Sequence, residues 1–464
     1  MSDNQICSAT ETQNAKNIIA LTKLLCQKGI LLESEIDQIF SAKSDAEPAS
    51  FAGNFPLDLL HQGVESNGNT PALIEDGKRR INALMQKYDI PGEIVDCMSS
   101  SNFTNYKIAL APEENTDVFR RIRGEICSTL NSLGVRILPS TDDHIFIEVP
   151  NKSFPQLHIR QLLESEEWKN SKAEIPLAIG KNTFGEPVIL DLDKAPHILI
   201  ADTIGTGKNI CTDSLIMSML YHFRPDELRL IMFDPAIVKF DAYKKLPHLL
   251  TPIINDSSKV PAALRWAADE IDRRHHILAQ AGMKELAEFN CRPIQNKPEF
   301  DKSGNLIPTK MPLIVIILDE LADLMMSEAK KDIENNITRI AQKGHTVGIH
   351  IIVTTRYPST NVITGVIKVN FPTRLCFQVR SLVDSRVVLD APGAENLSEE
   401  GDMLMTATGG CHPMRINVAS TTRNDMKKVI DFIREQYGTK NKQYAMEKAD
   451  LREFFIQNPL AKNC

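Results

Sequence analysis

Residues 196–209 read Pro196-His-Ile-Leu-Ile-Ala-Asp202-Thr-Ile-Gly205-Thr-Gly207-Lys208-Asn209, an apolar run followed by a loop that contains two glycines. The apolar run predicts a buried β-strand, and the residues after Lys208 predict a helix. Because glycine has no Cβ, Gly205 and Gly207 allow consecutive backbone N–H groups to curl around an anion. The start of the helix adds the positive end of its dipole. The stretch therefore predicts a strand, an anion-binding loop and a helix, the opening unit of an α/β fold.

The loop departs at two positions from the phosphate-binding pattern Gly-x-x-x-x-Gly-Lys-Ser/Thr. Asp202 stands at the first glycine and Asn209 at the final hydroxyl residue. Lys208 is predicted to bind β- and γ-phosphates, and Asn209 offers an amide oxygen to Mg²⁺. A carboxylate 4 Å from a phosphate oxygen would cost about 1 kcal/mol in water-like surroundings and about 4 at a dielectric of 20, unless Asp202 points away. Alone, the loop could equally be an ordinary surface loop. The predicted nucleotide-binding segment is Asp202, Thr203, Ile204, Gly205, Thr206, Gly207, Lys208 and Asn209.

A second apolar run, Leu313-Ile-Val-Ile-Ile-Leu318, ends in the carboxylates Asp319 and Glu320. A continuous apolar run of this length is typical of a parallel strand buried on both faces, and ligands bind at the carboxyl ends of such strands. Asp319 is predicted to hold Mg²⁺ directly or through water, and Glu320 to polarise the attacking water as general base. A strand followed by an acidic helix N-cap is the simpler alternative. The third run, His350-Ile-Ile-Val-Thr-Thr355, favours the nucleotide site, because its polar end would face the γ-phosphate.

Further strings resemble the motor of the FtsK/SpoIIIE family of DNA translocases, in consistent order over residues 71–437. They include Arg229-Leu-Ile-Met-Phe-Asp234-Pro235, Leu246-Pro-His-Leu-Leu-Thr-Pro252, Asp319-Glu-Leu-Ala-Asp-Leu-Met-Met326, Val362-Ile-Thr-Gly365, Asp384-Ser-Arg386 and Gly401-Asp-Met-Leu404. The resemblance implies an α/β fold, a RecA-like P-loop NTPase domain with a mainly parallel sheet, preceded by a smaller α+β domain. The hydrophobic pattern near the N-terminus adds a short helical module, either a winged helix or a docking helix pair. The predicted segments are 1–45 for the helical module, 46–70 for a linker, 71–170 for the FtsK-like α domain, 171–437 for the motor domain and 438–464 for a tail.

The resemblance also implies ATP and Mg²⁺ as cofactors, a homohexameric ring as the assembly and double-stranded DNA in its channel. Arg386, or another arginine presented by the neighbouring subunit, would complete the catalytic site. Lys284 lies where the family places one DNA-contacting loop, and Lys330 and Lys331 lie where it places the other. A solvated helix end explains Lys330 and Lys331 equally well. Division or recombination proteins are further expected partners.

Five residues depart from the family pattern around the predicted site: Asp202, Asn209, Ala236, His345 and Arg356. Arg356 replaces a glutamine expected to sense the γ-phosphate, and Ala236 replaces the lysine of an Asp-Pro-Lys string. These departures leave two hypotheses open. The chain is an ATP-dependent double-stranded DNA translocase acting in chromosome segregation or cell division, or a catalytically impaired homologue that binds nucleotide or DNA as a structural or regulatory subunit. A related pump with protein cargo is a third hypothesis, which the α-like region disfavours.

The composition is that of a globular protein, since 24% of the 464 residues are charged and 42% are hydrophobic. The net charge of −7 argues against a surface that binds DNA over its whole area. A duplex held in a channel requires basic groups only along the channel lining, because more distant charges are screened. No run of about 18 apolar residues appears, which predicts no transmembrane segment. The start of the chain lacks the features of a signal peptide, and the nine cysteines include no Cys-x-x-Cys pair. We therefore expect a cytoplasmic location with free thiols.

Overall fold

The structure is a computed structural model that describes residues 55–63, 68–110, 117–139, 144–203, 205, 207–293, 307–397, 400–407 and 412–438. The predicted helical module of residues 1–45 lies outside the described residues, as does all but the first residue of the predicted tail. Within the described ranges, no helix combines the length and the apolar composition needed to cross a membrane.

The smaller domain is a four-stranded antiparallel sheet in the order β1-β2-β4-β3, packed against helices. Its first helix buries Ile81, Leu84 and Met85, whose spacing places them on one face. They pack with sheet residues such as Ile108 to form the domain core. The elements are α1 (Pro71–Lys87), β1 (Gly92–Ser99), β2 (Phe103–Leu110), α2 (Asp117–Arg121), α3 (Arg123–Leu130), β3 (Arg136–Pro139) and β4 (His144–Pro150). This domain has the predicted α+β character.

From β7 (His197–Ala201) to β12 (Asp402–Thr406) the larger domain alternates strands and helices. Its elements are α4 (Ile159–Leu163), α5 (Glu166–Lys169), β5 (Pro176–Asn182), β6 (Pro187–Asp191), β7 (His197–Ala201), α6 (Lys208–His222), β8 (Leu228–Phe233), α7 (Val260–Ala281), α8 (Leu286–Cys291), β9 (Leu313–Leu318), α9 (Leu321–Met325), α10 (Lys330–Lys343), β10 (Ile349–Thr355), α11 (Gly365–Asn370), β11 (Thr373–Cys376), α12 (Leu382–Leu389), β12 (Asp402–Thr406), β13 (Met414–Val418) and α13 (Arg423–Tyr437). Short 3₁₀ turns lie at Leu57–Leu59, Asp241–Tyr243, Ser257–Lys259, His345–Val347 and Ala394–Asn396.

The strands of the larger domain form one sheet of nine described strands, in the order β6-β5-β13-β12-β11-β7-β10-β9-β8. From β11 to β8 all neighbours are parallel, as the apolar runs predict. From β11 to β6 all neighbours are antiparallel. The sheet therefore has a parallel half, which contains the predicted strands, and an antiparallel half, and this arrangement agrees with the predicted RecA-like α/β fold. Short connections join β5 to β6 and β12 to β13, and a short connection allows only antiparallel pairing.

Both faces of the parallel half are buried. In β9, Ile314 and Ile316 face one apolar core, whereas Val315 and Ile317 face the other. Successive side chains of a strand point to opposite faces, so burial on both sides demands an unbroken apolar sequence. This requirement explains the apolar runs in the sequence and fixes where each strand ends.

Two segments lie in the larger domain although the sequence assigns them elsewhere. Phe55, in the predicted linker, is buried with its ring 5.8 Å from that of Tyr221 and 5.9 Å from that of Phe432. Residues 157–163, assigned by sequence to the smaller domain, bury Leu157, Ile159, Leu162 and Leu163 in the core of the larger one. These side chains therefore pack in the core of the larger domain.

A buried ion pair of the larger domain contacts the smaller domain through its arginine. Arg415 donates to both oxygens of Asp402, at 2.9 and 2.6 Å, and both side chains are 0% exposed. Its Nη1 donates to the carbonyl oxygen of Gly134 in the smaller domain at 2.7 Å, and its guanidinium lies 4.8 Å from the ring centroid of Phe103. The larger domain thus holds the smaller one through a fully desolvated arginine.

We expect Arg415→Met to lower the free energy of unfolding by about 3–5 kcal/mol, because it leaves Asp402 buried without its partner. Urea denaturation measures the loss. The exposed Arg79 on α1 is the control, and Arg79→Met should change the free energy by less than about 1 kcal/mol. Adding Asp402→Leu to Arg415→Met should recover part of the loss, since no unpaired charge remains. Equal effects of the two arginine substitutions would contradict this role.

Candidate functional site

The carboxyl ends of three adjacent parallel strands bring the predicted site residues to one edge of the sheet. In the register of β10, Thr355 pairs with Ala201 of β7 and Val353 pairs with Leu318 of β9. Asp202 follows β7 directly, and its amide donates to the carbonyl oxygen of Thr355 at 3.1 Å. The acidic pair after β9 and the loop after β7 therefore meet, as their positions in the sequence predict.

The loop after β7 begins by pairing with its neighbours and ends in helix α6. The amide of Thr203 donates to the carbonyl oxygen of Gln378 at 3.3 Å, and Gly205 adopts a left-handed φ of 80°. Ile204 and Thr206, two residues of the predicted nucleotide-binding segment, lie outside the described residues. At Gly207 a Cβ atom would lie 2.2 Å from Cε1 of the buried Phe377. Close approach to this ring therefore requires glycine immediately before the helix.

Asp319 accepts hydrogen bonds from three side chains at a single oxygen. Its Oδ1 lies 3.1 Å from Nζ of Lys208, 2.6 Å from Nζ of Lys239 and 2.6 Å from Oγ1 of Thr354. The side chain of Lys208 is 1% exposed and that of Lys239 is 7% exposed, so both ammonium groups are removed from water. Burial would raise the pKa of Asp319, but the charges of Lys239 and Lys208 outweigh it and hold the pKa well below its usual value.

Lys239 is a site residue that the sequence analysis missed. It lies in the loop after β8, where Asp234 accepts hydrogen bonds from the amides of Ala236 and Phe240 at 3.1 and 2.9 Å. Ile237, between them, has a left-handed φ of 66°, which is costly for a β-branched residue. Burial lowers the pKa of Lys239, and the carboxylate of Asp319 opposes that shift. The only sequence signal was indirect: the lysine expected at Ala236 is absent, and another lysine follows three residues later.

Glu320 is held in place by three donors. Its Oε2 lies 3.4 Å from Nζ of Lys208, and its Oε1 accepts from Oγ1 of Thr355 at 3.2 Å and from the amide of Arg356 at 3.0 Å. The residue has a left-handed φ of 60°, which turns the chain from strand β9 into helix α9. In this arrangement the predicted general base pairs with Lys208, so freeing it requires another acceptor for that ammonium group.

Asp202, the residue at the first-glycine position, is 1% exposed, and no described residue makes a well-formed hydrogen bond to its carboxylate oxygens. Burial raises its pKa, with the charge and backbone amide of Lys208 acting in the opposite direction. Asp202 therefore remains a departure from the phosphate-binding pattern at the first-glycine position.

The described residues do not fit a Mg²⁺ ion in this arrangement. Magnesium requires oxygen ligands at about 2.0–2.1 Å in octahedral geometry, but Oδ1 of Asp319 is already surrounded by three donors. Asn209, the second predicted ligand, is exposed and makes no hydrogen bond to Asp319 within the described ranges. A divalent ion 4 Å from the Lys239 ammonium would be repelled by about 8 kcal/mol at a dielectric of 20.

Four predicted residues lie away from this cluster in the single chain. Arg386 is exposed on α12, and Lys284 is exposed just before α8. Lys331 is exposed at the start of α10, where Nζ of Lys330 donates to the carbonyl oxygen of Asn361 at 3.2 Å. Their roles toward a neighbouring subunit or DNA stay predictions.

The fold and the site together define a RecA-like P-loop NTPase. The family model described as FtsK alpha domain matches residues 55–151, and that of the FtsK/SpoIIIE family matches residues 158–360. The chain belongs to the FtsK/SpoIIIE family.

Curated relatives in this family include two proteins named DNA translocase FtsK. That of Bradyrhizobium diazoefficiens is 37% identical over 386 residues, which cover 79% of this chain and 46% of the relative. That of Helicobacter pylori (strain 26695) is 36% identical over 436 residues, which cover 92% and 49% respectively. The chain thus spans about half the length of the curated relatives it matches. Among solved structures, the monomer form of the pCW3 conjugation coupling protein TcpA with ATPγS has a TM-score of 0.51 at 18% identity, over 78% of this chain and 99% of that one. This likeness concerns the fold alone.

We expect Gly207→Ala to weaken nucleotide binding by about tenfold or more, because its Cβ would clash with Phe377 and displace the loop. Calorimetric titration with ATPγS measures the affinity. Gly124→Ala is the matched control, since nothing lies within 4 Å of a Cβ at that position in α3. Undiminished binding by the Gly207 variant would show that the loop does not contact the nucleotide.

Proposed function

We propose that this chain is the motor of an ATP-dependent translocase of double-stranded DNA, acting in chromosome segregation or cell division. The observation that carries the proposal is the meeting of Lys208, Asp319 and Glu320 at the carboxyl edge of the parallel strands. Membership of the FtsK/SpoIIIE family supports the choice of DNA as substrate.

In the proposed reaction, the phosphates of ATP provide new acceptors for Lys208. Glu320 then loses its contact with that ammonium group and polarises the water that attacks the γ-phosphate. The donors Thr355 and the Arg356 amide keep the carboxylate oriented during this exchange.

The assembly we propose is a homohexameric ring with the duplex in its channel. Its neighbouring subunit would present Arg386, whose exposure on α12 suits a contact between copies. Lys284, Lys330 and Lys331 would grip the duplex through its phosphates, without reading sequence. Division or recombination proteins are proposed partners of such a ring.

A second candidate function is a nucleotide-binding subunit that does not hydrolyse ATP. The observation favouring it is the pairing of both predicted catalytic carboxylates with lysines, together with Arg356 in place of a polar amide residue. ATP turnover separates the two candidates.

We expect linear duplex DNA to stimulate ATP turnover, and Glu320→Gln to lower the stimulated rate about 100-fold or more, because the amide cannot act as a base. A phosphate-release assay measures the rate. Glu328→Gln, an exposed carboxylate shortly after Glu320, serves as the control and should leave turnover unchanged. No turnover with wild-type protein, combined with nucleotide binding that Lys208→Ala abolishes, would establish the second candidate.

We expect the triple variant Lys284→Ala, Lys330→Ala and Lys331→Ala to bind duplex more weakly. The slope of log affinity against log salt should fall by up to about 0.9 for each phosphate contact removed. Fluorescence anisotropy over a range of NaCl concentrations measures the slope. A matched triple variant at the exposed Lys169, Lys172 and Lys194 should keep the wild-type slope. Identical slopes in all three proteins would remove these lysines from the DNA contact.

A further inference from the structure

A buried lysine, Lys239, lies in the proposed nucleotide site and has no role in the proposed reaction. Lys239 pairs with Asp319 at 2.6 Å, a shorter distance than the 3.1 Å between Lys208 and the same oxygen. We propose that the Lys239 ammonium takes the place of the divalent cation, so that the site binds a nucleoside triphosphate without Mg²⁺. This inference rests on the proposed nucleotide site and deepens it.

The contacts of Lys239 are those expected of a cation between the acidic strand end and the phosphate-binding helix. Its Nζ reaches Oδ1 of Asp319 on one side and Oγ1 of Thr212, one turn into α6, at 3.5 Å on the other. Thr212 in turn donates to the carbonyl oxygen of Lys208 at 2.8 Å. Lys239 therefore joins the carboxylate predicted to hold a metal with the helix that begins at the phosphate-binding lysine.

The loop that carries Lys239 is built to hold it there. Both oxygens of Asp234 are engaged by amides of this loop, from Ala236 and Phe240. Phe240 is buried, and its ring centroid lies 5.0 Å from Nζ of Lys239. The left-handed backbone at Ile237 is retained although its side chain is 55% exposed and gains little from packing. The left-handed backbone at Ile237 and the two hydrogen bonds to Asp234 restrict the positions that the Lys239 ammonium group can adopt.

The charges of the site agree with this assignment. The buried Asp319 and the partly buried Glu320 place two carboxylates beside the anion-binding loop, and a triphosphate adds further negative charge. Lys208 alone would neutralise little of it, and Asn209 is a weak substitute for a metal-binding hydroxyl residue. Lys239 supplies a second fixed positive charge at the oxygen that a metal would use. The chain thus has Asn209 in place of the metal-binding hydroxyl residue, and it has the buried Lys239 ammonium group beside the oxygen of Asp319 that a metal would use.

The test compares ATPγS affinity in MgCl₂ and in EDTA by isothermal titration calorimetry. We expect the wild-type dissociation constants in the two buffers to agree within about threefold. Lys239→Met should weaken binding in EDTA about tenfold or more, because a charge-assisted contact to the phosphates is lost. Lys239→Arg should retain the wild-type affinity in EDTA, because it keeps the charge.

Lys194→Met is the matched control, since Lys194 is exposed before the opposite end of β7 and should leave both affinities unchanged. Thermal unfolding confirms that each variant folds. The comparison of wild-type affinity between the two buffers does not depend on any variant. Wild-type binding that falls more than about tenfold in EDTA would overturn the inference while leaving the nucleotide site intact. Absence of binding in both buffers would overturn the nucleotide site and this inference together.

Discussion

One carboxylate oxygen, Oδ1 of Asp319, is the point on which the site depends. Three parts of the larger domain meet there: helix α6 through Lys208, the loop after β8 through Lys239 and strand β10 through Thr354. Burying the ammonium groups of Lys208 and Lys239 without a partner would cost several kcal/mol each, and their ion pairs with Asp319 offset this cost. The parallel strands create this meeting point, because each delivers its following residues to the same edge.

Sequence best predicts the elements whose burial requires many consecutive residues to be apolar. Strands β7, β9 and β10 are buried on both faces, so their apolar runs are continuous and their ends are sharp. Asp319 and Glu320 follow β9 directly and Lys208 follows the loop after β7, so the sequence places all three at one edge of the sheet. The antiparallel half of the sheet has a weaker sequence signal, because its outer strand β6 is only half-buried.

The features that sequence did not predict depend on single side chains and distant partners. Phe55 lies in a stretch whose composition is that of a linker, and only its contacts with Tyr221 and Phe432 make it part of the core. Lys239 points into the site because Asp234 clamps its loop and Ile237 adopts a left-handed backbone. Neither the hydrogen bonds to Asp234 nor a positive φ at isoleucine has a local sequence signature, so the lysine three residues after Ala236 gave only an indirect signal.

The same geometry connects the acidic pair to the region predicted to contact DNA. Glu320 accepts from Oγ1 of Thr355 and from the amide of Arg356, at the start of the segment that leads to Asn361. The carbonyl oxygen of Asn361 accepts from Lys330 at the start of α10. A ligand in the predicted phosphate loop would compete with Glu320 for Lys208, and a change in the partners of Glu320 would first affect its contacts with Thr355 and Arg356. One hydrogen bond therefore joins Lys330, a predicted DNA-binding residue, to the segment that begins beside Glu320.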